Sequence, residues 1–429
     1  MDAMHAGSAR DGDSSPLIGG ARQQQHQHQH PLQQQAAMEE AMGSHLLPFS
    51  LQEEPDTKAR RPRLFFMVWV LGVALAALLL SLVVVLAWLT TAEARTIQYV
   101  CPENITDGDR FVFVIGDWGR ANEPQRVAAQ MMAQLAGCMK PEFIISTGDN
   151  FYPHGVDSAD DAQWQDSFLD VYNSESIKDL TWYAVLGNHD YGDSLDMRVC
   201  SSGFDGQTLS GCSPGCCNSP MWQVPSVAAE HGSAMPPNWR LQQGAWQQDF
   251  PDLGLQVTFI DTTPLAWRAD GRTVPVIGGA AEQDVEAQTA ELKRLLSNDA
   301  AVKIVVGHHP VETYGEHCQP VDGFVPSHCP AMKEWLQPLL ADHGVLAYLC
   351  GHEHDLQYIH NDGDPVHYVV SGAGSDVRYH EFDGIDTHGA LTVDDQGFSA
   401  LRFGAGGAVT LYMWGSRSAE PLLATQLTA

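Results

Sequence analysis

Short apolar segments that end in Gly or Asp alternate with helical patterns from about residue 108 onward. Such alternation is typical of α/β proteins. It predicts helices at 123–139 and 282–297 and strands at 111–115, 143–147, 182–186, 255–261, 303–306, 346–350 and 366–371. After residue 390 the pattern becomes that of a hairpin, with strands at 398–403 and 409–414 around a Gly-rich turn.

Two segments interrupt this alternation. Residues 193–245 contain several Gly and Pro and are interpreted as an insertion that is rich in cysteine, with Cys200, Cys212, Cys216 and Cys217. Because these cysteines lack paired Cys-x-x-Cys spacing, disulfides are favoured over a zinc site. Residues 262–281 are interpreted as a surface loop.

A run of 26 residues without a charged side chain, 64–89, precedes this domain. It is long enough to cross a bilayer and much longer than the core of a signal peptide. Four basic residues lie within 58–63 and only Arg95 closely follows the run, which predicts a cytoplasmic N-terminus. We therefore expect a single-pass type II membrane protein with a signal-anchor helix, a stalk at 90–107 and a lumenal or extracellular domain at 108–429.

The predicted cytoplasmic tail, residues 1–63, is rich in Gln, His, Ser, Gly and Pro. Such a composition buries too little apolar surface to fold, so we expect disorder. Residues 13–18, from Asp13 to Ile18, resemble the acidic dileucine signals that sorting adaptors bind, although an idle linker fits equally well. Sorting adaptors are therefore candidate partners, and the lysosome, the vacuole and the cell surface are the candidate locations.

Two features of the predicted lumenal side fit this orientation. Asn104-Ile105-Thr106 is a glycosylation acceptor, and all nine cysteines follow the apolar run. Disulfides persist in that compartment, and the odd number leaves at least one thiol free or paired with another chain. The Ala92-Glu93-Ala94 triplet leaves cleavage after Ala94 open.

The formal net charge is −30, and the tail contributes little of it, with six basic and eight acidic side chains up to residue 63. So negative a domain repels nucleic acid, which excludes a nucleic-acid partner. It also repels phosphate esters, so a site for them needs its own positive charge, which bound metal supplies.

Metal-ligand chemistry follows five of the predicted strands. The residues are, in order, Asp117; Asp149 with Tyr152; Asn188 with His189; His308 beside His309; and His352 with His354. Side chains at the carboxyl ends of adjacent strands converge on one crevice in open α/β sheets. Carboxylates and a phenolate suit a trivalent ion, whereas an amide and imidazoles suit a divalent one.

This ordered set resembles the calcineurin-like metallophosphoesterases and, among them, the purple acid phosphatases. The discriminating features are Asp117-x-Gly119 and Tyr152, because the wider superfamily usually has Asp-x-His at the first motif and no Tyr at the second. The motifs Gly307-His308-His309-Pro310-Val311 and Glu316-His317 are similar to those of the small, tartrate-resistant type. The resemblance implies an α/β fold, a four-layer αββα sandwich, which here follows the disordered tail and one transmembrane helix.

The resemblance also implies a dinuclear metal centre. Its first metal, Fe(III), would be held by Asp117, Asp149, Tyr152 and His354. Its second metal, Fe(II), Zn(II) or Mn(II), would be held by Asn188, His308 and His352, with Asp149 bridging both ions. His308 is chosen over His309 by its position in the motif.

The activity that the resemblance implies is that of an acid phosphatase, which hydrolyses phosphate monoesters with a metal-activated hydroxide as nucleophile. His189 and His317 match the histidines that bind the phosphoryl oxygens or protonate the leaving group, although His317 also fits an ordinary loop histidine. One alternative is a divalent-metal phosphodiesterase or nucleotide hydrolase on the same fold. Another is a membrane-tethered binding protein that has lost catalysis.

Overall fold

The computed structural model describes residues 60–91, 97–193, 218–272, 279–320, 325–378 and 391–428. The chain divides into two units, Met1–Thr91 and Ala92–Ala429. The candidate sorting signal, the possible cleavage point at Ala94 and the four cysteines at 200–217 all lie outside the described residues.

One long apolar helix, α1 (Arg60–Thr91), is the described part of the first unit. Its window Phe65–Val83 has a mean hydropathy of 2.6, and its side chains are exposed. By length and composition α1 can cross a membrane, and the predicted span at 64–89 lies within it.

The first of two sheets in the second unit contains β1 (Arg110–Ile115), β2 (Phe143–Ser146), β3 (Thr181–Ala184), β4 (Trp239–Arg240), β12 (Gly397–Phe403), β13 (Val409–Gly415) and β14 (Leu423–Gln426). The strand order is β14-β13-β12-β1-β2-β3-β4. Strands β1 to β4 are parallel, with Val112 opposite Phe143 and Phe143 opposite Thr181, whereas β12 pairs with β1 in the antiparallel sense. The carboxyl ends of β1, β2 and β3 therefore lie side by side.

The second sheet contains β5 (Trp246–Phe250), β6 (Leu255–Phe259), β7 (Val302–Val306), β8 (Ala347–Cys350), β9 (Leu356–Ile359), β10 (His367–Ser371) and β11 (Leu391–Val393). Its strand order is β11-β9-β10-β8-β7-β6-β5. The four central strands are parallel, with Ile304 opposite Ala347 and Ala347 opposite His367. The carboxyl ends of β7 and β8 are thus neighbours too.

Helices cover the outer faces of both sheets. They are α2 (Glu123–Met139), α3 (Pro225–Glu230), α4 (Thr263–Ala269), α5 (Val285–Leu296) and α6 (His328–Asp342). Between the sheets lies an apolar core that includes Val112 of β1 and Val257 of β6. Helix α2 packs on the outside of the first sheet, and α5 and α6 pack on the second, so the predicted four-layer αββα architecture is confirmed.

Local signals explain where the two predicted helices begin. The Asn122 side chain accepts a hydrogen bond from the Gln125 N–H and caps α2, which has the predicted bounds. The Asp284 side chain likewise accepts from the Ala287 N–H, so α5 begins at Val285 rather than at the predicted residue 282.

The prediction of a surface loop at 262–281 is wrong over its first third, where α4 forms and buries Ala266 and Trp267. Seven residues are too few to show a helical period clearly. Helix α6 was missed because Pro338 lies inside it, although Met332, Leu336 and Leu340 recur at the helical spacing of four. Within the interval interpreted as an insertion, Trp239 and Arg240 form β4 and extend the first sheet.

Two disulfides lie among the described residues, Cys101–Cys138 and Cys318–Cys329. The second joins Cys318, the residue directly after His317, to Cys329 at the start of α6. Cys350 is a buried free thiol, as the odd number of cysteines allowed.

Candidate metal centre

The loops after β1, β2 and β8 place ligand-type side chains with an unusual backbone. Asp117, Asp149 and His352 have φ values of 57°, 51° and 70°, in the left-handed region that few residues other than Gly adopt, although Asn, Asp and His do so more often than the rest. Such strain persists only where the surrounding structure holds it, and it is common at functional sites.

Gly119 connects the first two motifs. A Cβ at this position would overlap the backbone of Asn150, so only glycine lets the loop after β1 lie directly on the loop after β2. In that arrangement the Tyr152 N–H donates to the Gly119 carbonyl at 3.0 Å. Gly119 therefore allows the two loops to pack closely, and the hydrogen bond between them fixes the backbone that carries the Tyr152 phenol.

Four oxygen and nitrogen donors form a first group. The Tyr152 hydroxyl lies 3.2 Å from Asp117 Oδ1, 3.0 Å from Asp149 Oδ2 and 3.2 Å from His354 Nε2. All four side chains are buried, and the tyrosine is the most exposed of them at 6%. The structure thus brings together the four residues predicted to hold the first metal.

A second group surrounds the Asn188 side chain. Its Oδ1 lies 3.0 Å from His308 Nε2 and 2.9 Å from His352 Nδ1. Asp149 joins the two groups, because its Oδ1 lies 3.4 Å from His308 Nε2 while its Oδ2 faces Tyr152. Asp117, Asp149 and His308 offer ligand atoms that all lie within 4.8 Å of one another.

The His309 ring packs against the His352 ring, with 4.4 Å between their centroids, but its Nδ1 faces Thr262 rather than Asn188. Its Nδ1 lies 2.9 Å from Thr262 Oγ1, which also accepts the backbone N–H groups of His309 and His308. With both lone pairs of the hydroxyl oxygen so used, the Thr262 O–H donates to Nδ1, and a neutral His309 carries its proton on Nε2. His308, rather than His309, is therefore the imidazole that contacts Asn188 and Asp149.

The pKa values of the buried side chains indicate that the charged form of this cluster is unfavourable unless a cation is bound. Burial, and then the neighbouring Asp149, raises the pKa of Asp117 well above its ordinary value. Burial and the two carboxylates likewise raise the pKa of the Tyr152 phenol. Burial also lowers the pKa values of His352 and His354. Buried carboxylates and a phenol beside neutral imidazoles fit a metal site, since cations stabilise the deprotonated oxygens and imidazoles supply lone pairs.

Both histidines predicted to be catalytic lie against this cluster. The His189 ring lies 4.4 Å from the Tyr152 ring, and its Nδ1 donates to the Pro153 carbonyl at 2.6 Å. The His317 ring lies 4.2 Å from the His352 ring. Its Nδ1 donates at 2.8 Å to Glu353, which is fully buried.

A cavity of about 170 Å³ opens onto these groups, and sequence reasoning missed part of its wall. The missed residues are Asp193, Trp267, Asp270, Arg272, His328 and Arg378. Most of them lie in segments interpreted as loops or insertion, where no periodic pattern draws attention to a side chain. Glu353 could have been found from the sequence, since it lies between two ligand-type histidines.

A larger cavity of about 670 Å³ lies at the opposite strand ends, beside Arg110 and Phe250 and far from the candidate metal centre.

Comparisons with known proteins agree with this geometry. The calcineurin-like phosphoesterase family model matches residues 112–356. Human tartrate-resistant acid phosphatase type 5 is 32% identical over 285 residues, which cover 64% of this chain and 75% of the relative. Purple acid phosphatase 17 of Arabidopsis thaliana is 29% identical over 345 residues, which cover 77% of this chain and 88% of the relative.

Two solved structures show the same fold. One is GAP50, the anchor in the inner membrane complex of Plasmodium, with a TM-score of 0.52, 22% identity, and coverage of 75% of this chain and 89% of that one. The other is purple acid phosphatase PPD1 from yellow lupin (Lupinus luteus) seeds, with a TM-score of 0.52, 15% identity, and coverage of 76% of this chain and 56% of that one.

Proposed function

Since this chain belongs to the calcineurin-like phosphoesterase family and is related to the purple acid phosphatases, we propose that it is an acid phosphatase that hydrolyses phosphate monoesters at a dinuclear metal centre. The observation that carries the proposal is the position of Asp149. Its two carboxylate oxygens face different donor groups, Oδ2 the Tyr152 hydroxyl and Oδ1 the His308 imidazole. A carboxylate in that position can bridge two ions.

We assign the donors to two sites according to these distances. The first comprises Asp117, Asp149, Tyr152 and His354; the second comprises Asn188, His308 and His352 and shares Asp149. Two carboxylates and a phenolate favour Fe(III) at the first site, and the amide and imidazoles favour Fe(II), Zn(II) or Mn(II) at the second. Two bound ions would polarise the phosphoryl oxygens and lower the pKa of a water molecule.

His189 and His317 are the candidates for the general acid that protonates the leaving group. Nδ1 of each ring is held, in His189 by the Pro153 carbonyl and in His317 by the Glu353 carboxylate. Nε2 of His189 is therefore the atom left for substrate, whereas Nε2 of His317 contacts the Arg378 guanidinium. A protonated Nε2 can bind a phosphoryl oxygen or give its proton to the departing alkoxide. Arg378 contacts His317 and adds positive charge to a domain that is otherwise strongly negative.

The test uses the full chain purified in detergent. We expect iron on elemental analysis, a visible phenolate-to-Fe(III) band, and hydrolysis of an aryl phosphate in mild acid. His189→Ala should lower kcat by about 10²- to 10⁴-fold, the range for loss of a positioned general acid. Asn188→Ala should lower both kcat and metal content, because it removes a proposed ligand of the second metal. The exposed residues Asn173 and His231 provide matched controls, since Asn173→Ala and His231→Ala should leave the rate unchanged.

Each alternative function gives a different result. A protein with divalent metals only, no visible band and activity on diesters is a phosphodiesterase. A protein that binds both metals but hydrolyses neither ester has kept the fold as a binding module. Equal rates for wild type, Asn188→Ala and His189→Ala contradict the assigned site.

We also propose that the apolar span at 64–89, which lies within α1, anchors the domain with residues 1–63 in the cytoplasm. Support comes from the apolar window of α1, the basic residues before it and the disulfides after it. Protease added to intact vesicles should remove the tail and spare the phosphatase domain. Digestion of the domain with protection of the tail would reverse the orientation.

A further inference from the structure

The Arg120 side chain covers the ring of Tyr152. The guanidinium carbon of Arg120 lies 3.9 Å from the centroid of the phenol ring, well inside the range of about 6 Å for cation–π contacts. Tyr152 is the residue proposed to supply a phenolate to the first metal. This contact therefore places a permanent positive charge on the π system of a ligand.

The backbone holds the two residues in this arrangement. Arg120 directly follows Gly119, whose carbonyl accepts the Tyr152 N–H, so the two side chains start from hydrogen-bonded loops. The guanidinium is also fixed on its other side, because Arg120 Nε lies 3.4 Å from the Asp376 carboxylate. Nε is buried and donates no hydrogen bond among the described residues. The ring contact and the ion pair, rather than a hydrogen-bond network of Nε, thus position it.

A cation over an aromatic face is attracted by the negative charge of the π cloud, and a phenolate carries more of that charge than a phenol. The positive charge lowers the energy of the filled phenolate orbitals. Electrons in those orbitals are then donated less readily to a bound ferric ion, and promoting one of them to iron takes more energy. The side chain of Arg120 is only 29% exposed, which limits the screening of this charge by water.

We propose that Arg120 is a positioning residue that tunes Tyr152 as a metal ligand, so that the phenolate-to-iron absorption band lies at shorter wavelength than it would without the guanidinium. The inference rests on the proposed function, since it needs Fe(III) at the first site. It adds a role for a residue that is not itself a proposed ligand, and it explains why a long cationic side chain follows the Asp117-x-Gly119 motif.

The test compares visible spectra of the metal-loaded full chain. Arg120→Met removes the charge and keeps much of the volume, and Arg120→Gln removes the charge but keeps a polar end. Both should shift the absorption maximum to longer wavelength with iron content unchanged, whereas Arg120→Lys should shift it less because the charge remains. Arg126 lies exposed on α2 and provides the control, since Arg126→Met should leave the maximum in place.

The outcomes separate the two proposals. A wild-type protein that binds no iron or shows no band overturns the ferric site and, with it, the role of Arg120. A wild-type band whose maximum is the same in Arg120→Met and Arg120→Gln overturns the role of Arg120 alone. If one neutral variant fails to fold or to load iron, the other decides.

Discussion

Glu353 is a residue whose role in the site could not be inferred from the sequence, although it lies inside a motif that was recognised. The motif His352-Glu353-His354 identified the two histidines as candidate ligands. The glutamate between them instead binds a third histidine, His317. Glu353 is fully buried and accepts a hydrogen bond from His317 Nδ1 at 2.8 Å, and the Thr313 hydroxyl donates to its other oxygen at 3.3 Å. It therefore fixes the ring orientation of a proposed catalytic histidine.

The isosteric change Glu353→Gln replaces the carboxylate by an amide that cannot stabilise a charged imidazole as well. We expect kcat on an aryl phosphate to fall by about 10- to 100-fold, the usual cost of removing a partner that orients an active-site histidine, with KM changing less. Steady-state kinetics and metal content measured together check this, and Glu334→Gln on the exposed face of α6 is the control. A loss of metal that accounts for the loss of rate would instead make Glu353 a support of the metal site.

Single residues also show why motif position was needed to choose between His308 and His309. The two are adjacent in sequence and are both buried. Only the fold determines that one ring faces Asn188 and the other faces Thr262, because Thr262 comes from the segment after β6. No spacing rule within the chain contains that information.

At the scale of elements, the strands that end at the site were the most predictable part of the fold. Each predicted strand is present with bounds shifted by at most two residues, since buried parallel strands are continuous apolar runs. The less predictable elements were short or irregular: α4 has seven residues, β4 has two, and α6 contains a proline. These same elements carry or flank Arg272 and His328, so the wall of the cavity was missed together with them.

The turn after β3 depends on a glycine that leaves no room for a side chain. A Cβ at Gly187 would overlap the Asp149 carboxylate, whereas a Cβ at Gly137 in α2 would meet nothing within 4 Å. Gly187→Ala should therefore displace the proposed bridging ligand, destabilise the protein by about 1–3 kcal/mol and abolish metal binding. Gly137→Ala should stabilise the protein by up to about 1 kcal/mol and leave activity intact.

Urea unfolding and elemental analysis of both alanine variants check this pair. Gly187→Ala protein with a full complement of two metals would show that the carboxylate can move aside. In that case the close packing of the two loops would not be what positions Asp149.

At the scale of the whole molecule, buried carboxyl groups make the stability of the fold depend on pH. The chain is strongly negative and several carboxyl groups are buried, so protonating those buried groups in acid removes buried charge and lessens repulsion. Asp261 is the clearest case outside the proposed ligands. It is 5% exposed, burial raises its pKa to about 7, and the Tyr191 hydroxyl that donates to it at 2.5 Å offsets only part of that rise.

The sign of the effect on stability follows from this raised pKa. In the folded chain Asp261 keeps its proton up to about pH 7, whereas in the unfolded chain it ionises near its ordinary pKa of 3.8, so unfolding releases a proton between these values. The stabilising contribution of the protonated carboxyl is therefore complete below about pH 4 and is lost as the pH rises to about 7. Since one pKa unit corresponds to about 1.4 kcal/mol, the total change is on the order of a few kcal/mol.

Asp261→Asn isolates this contribution, because asparagine does not titrate while other groups titrate alike in both proteins. We expect the free energy of unfolding of wild type, measured in urea and compared with that of Asp261→Asn, to fall by a few kcal/mol between pH 4 and pH 7.5. A difference that stays constant over this range would mean that Asp261 is ionised in the folded state throughout. Any gain of stability in acid would then come from another buried carboxyl group, with Asp190, whose pKa burial also raises to about 7, as the next to test.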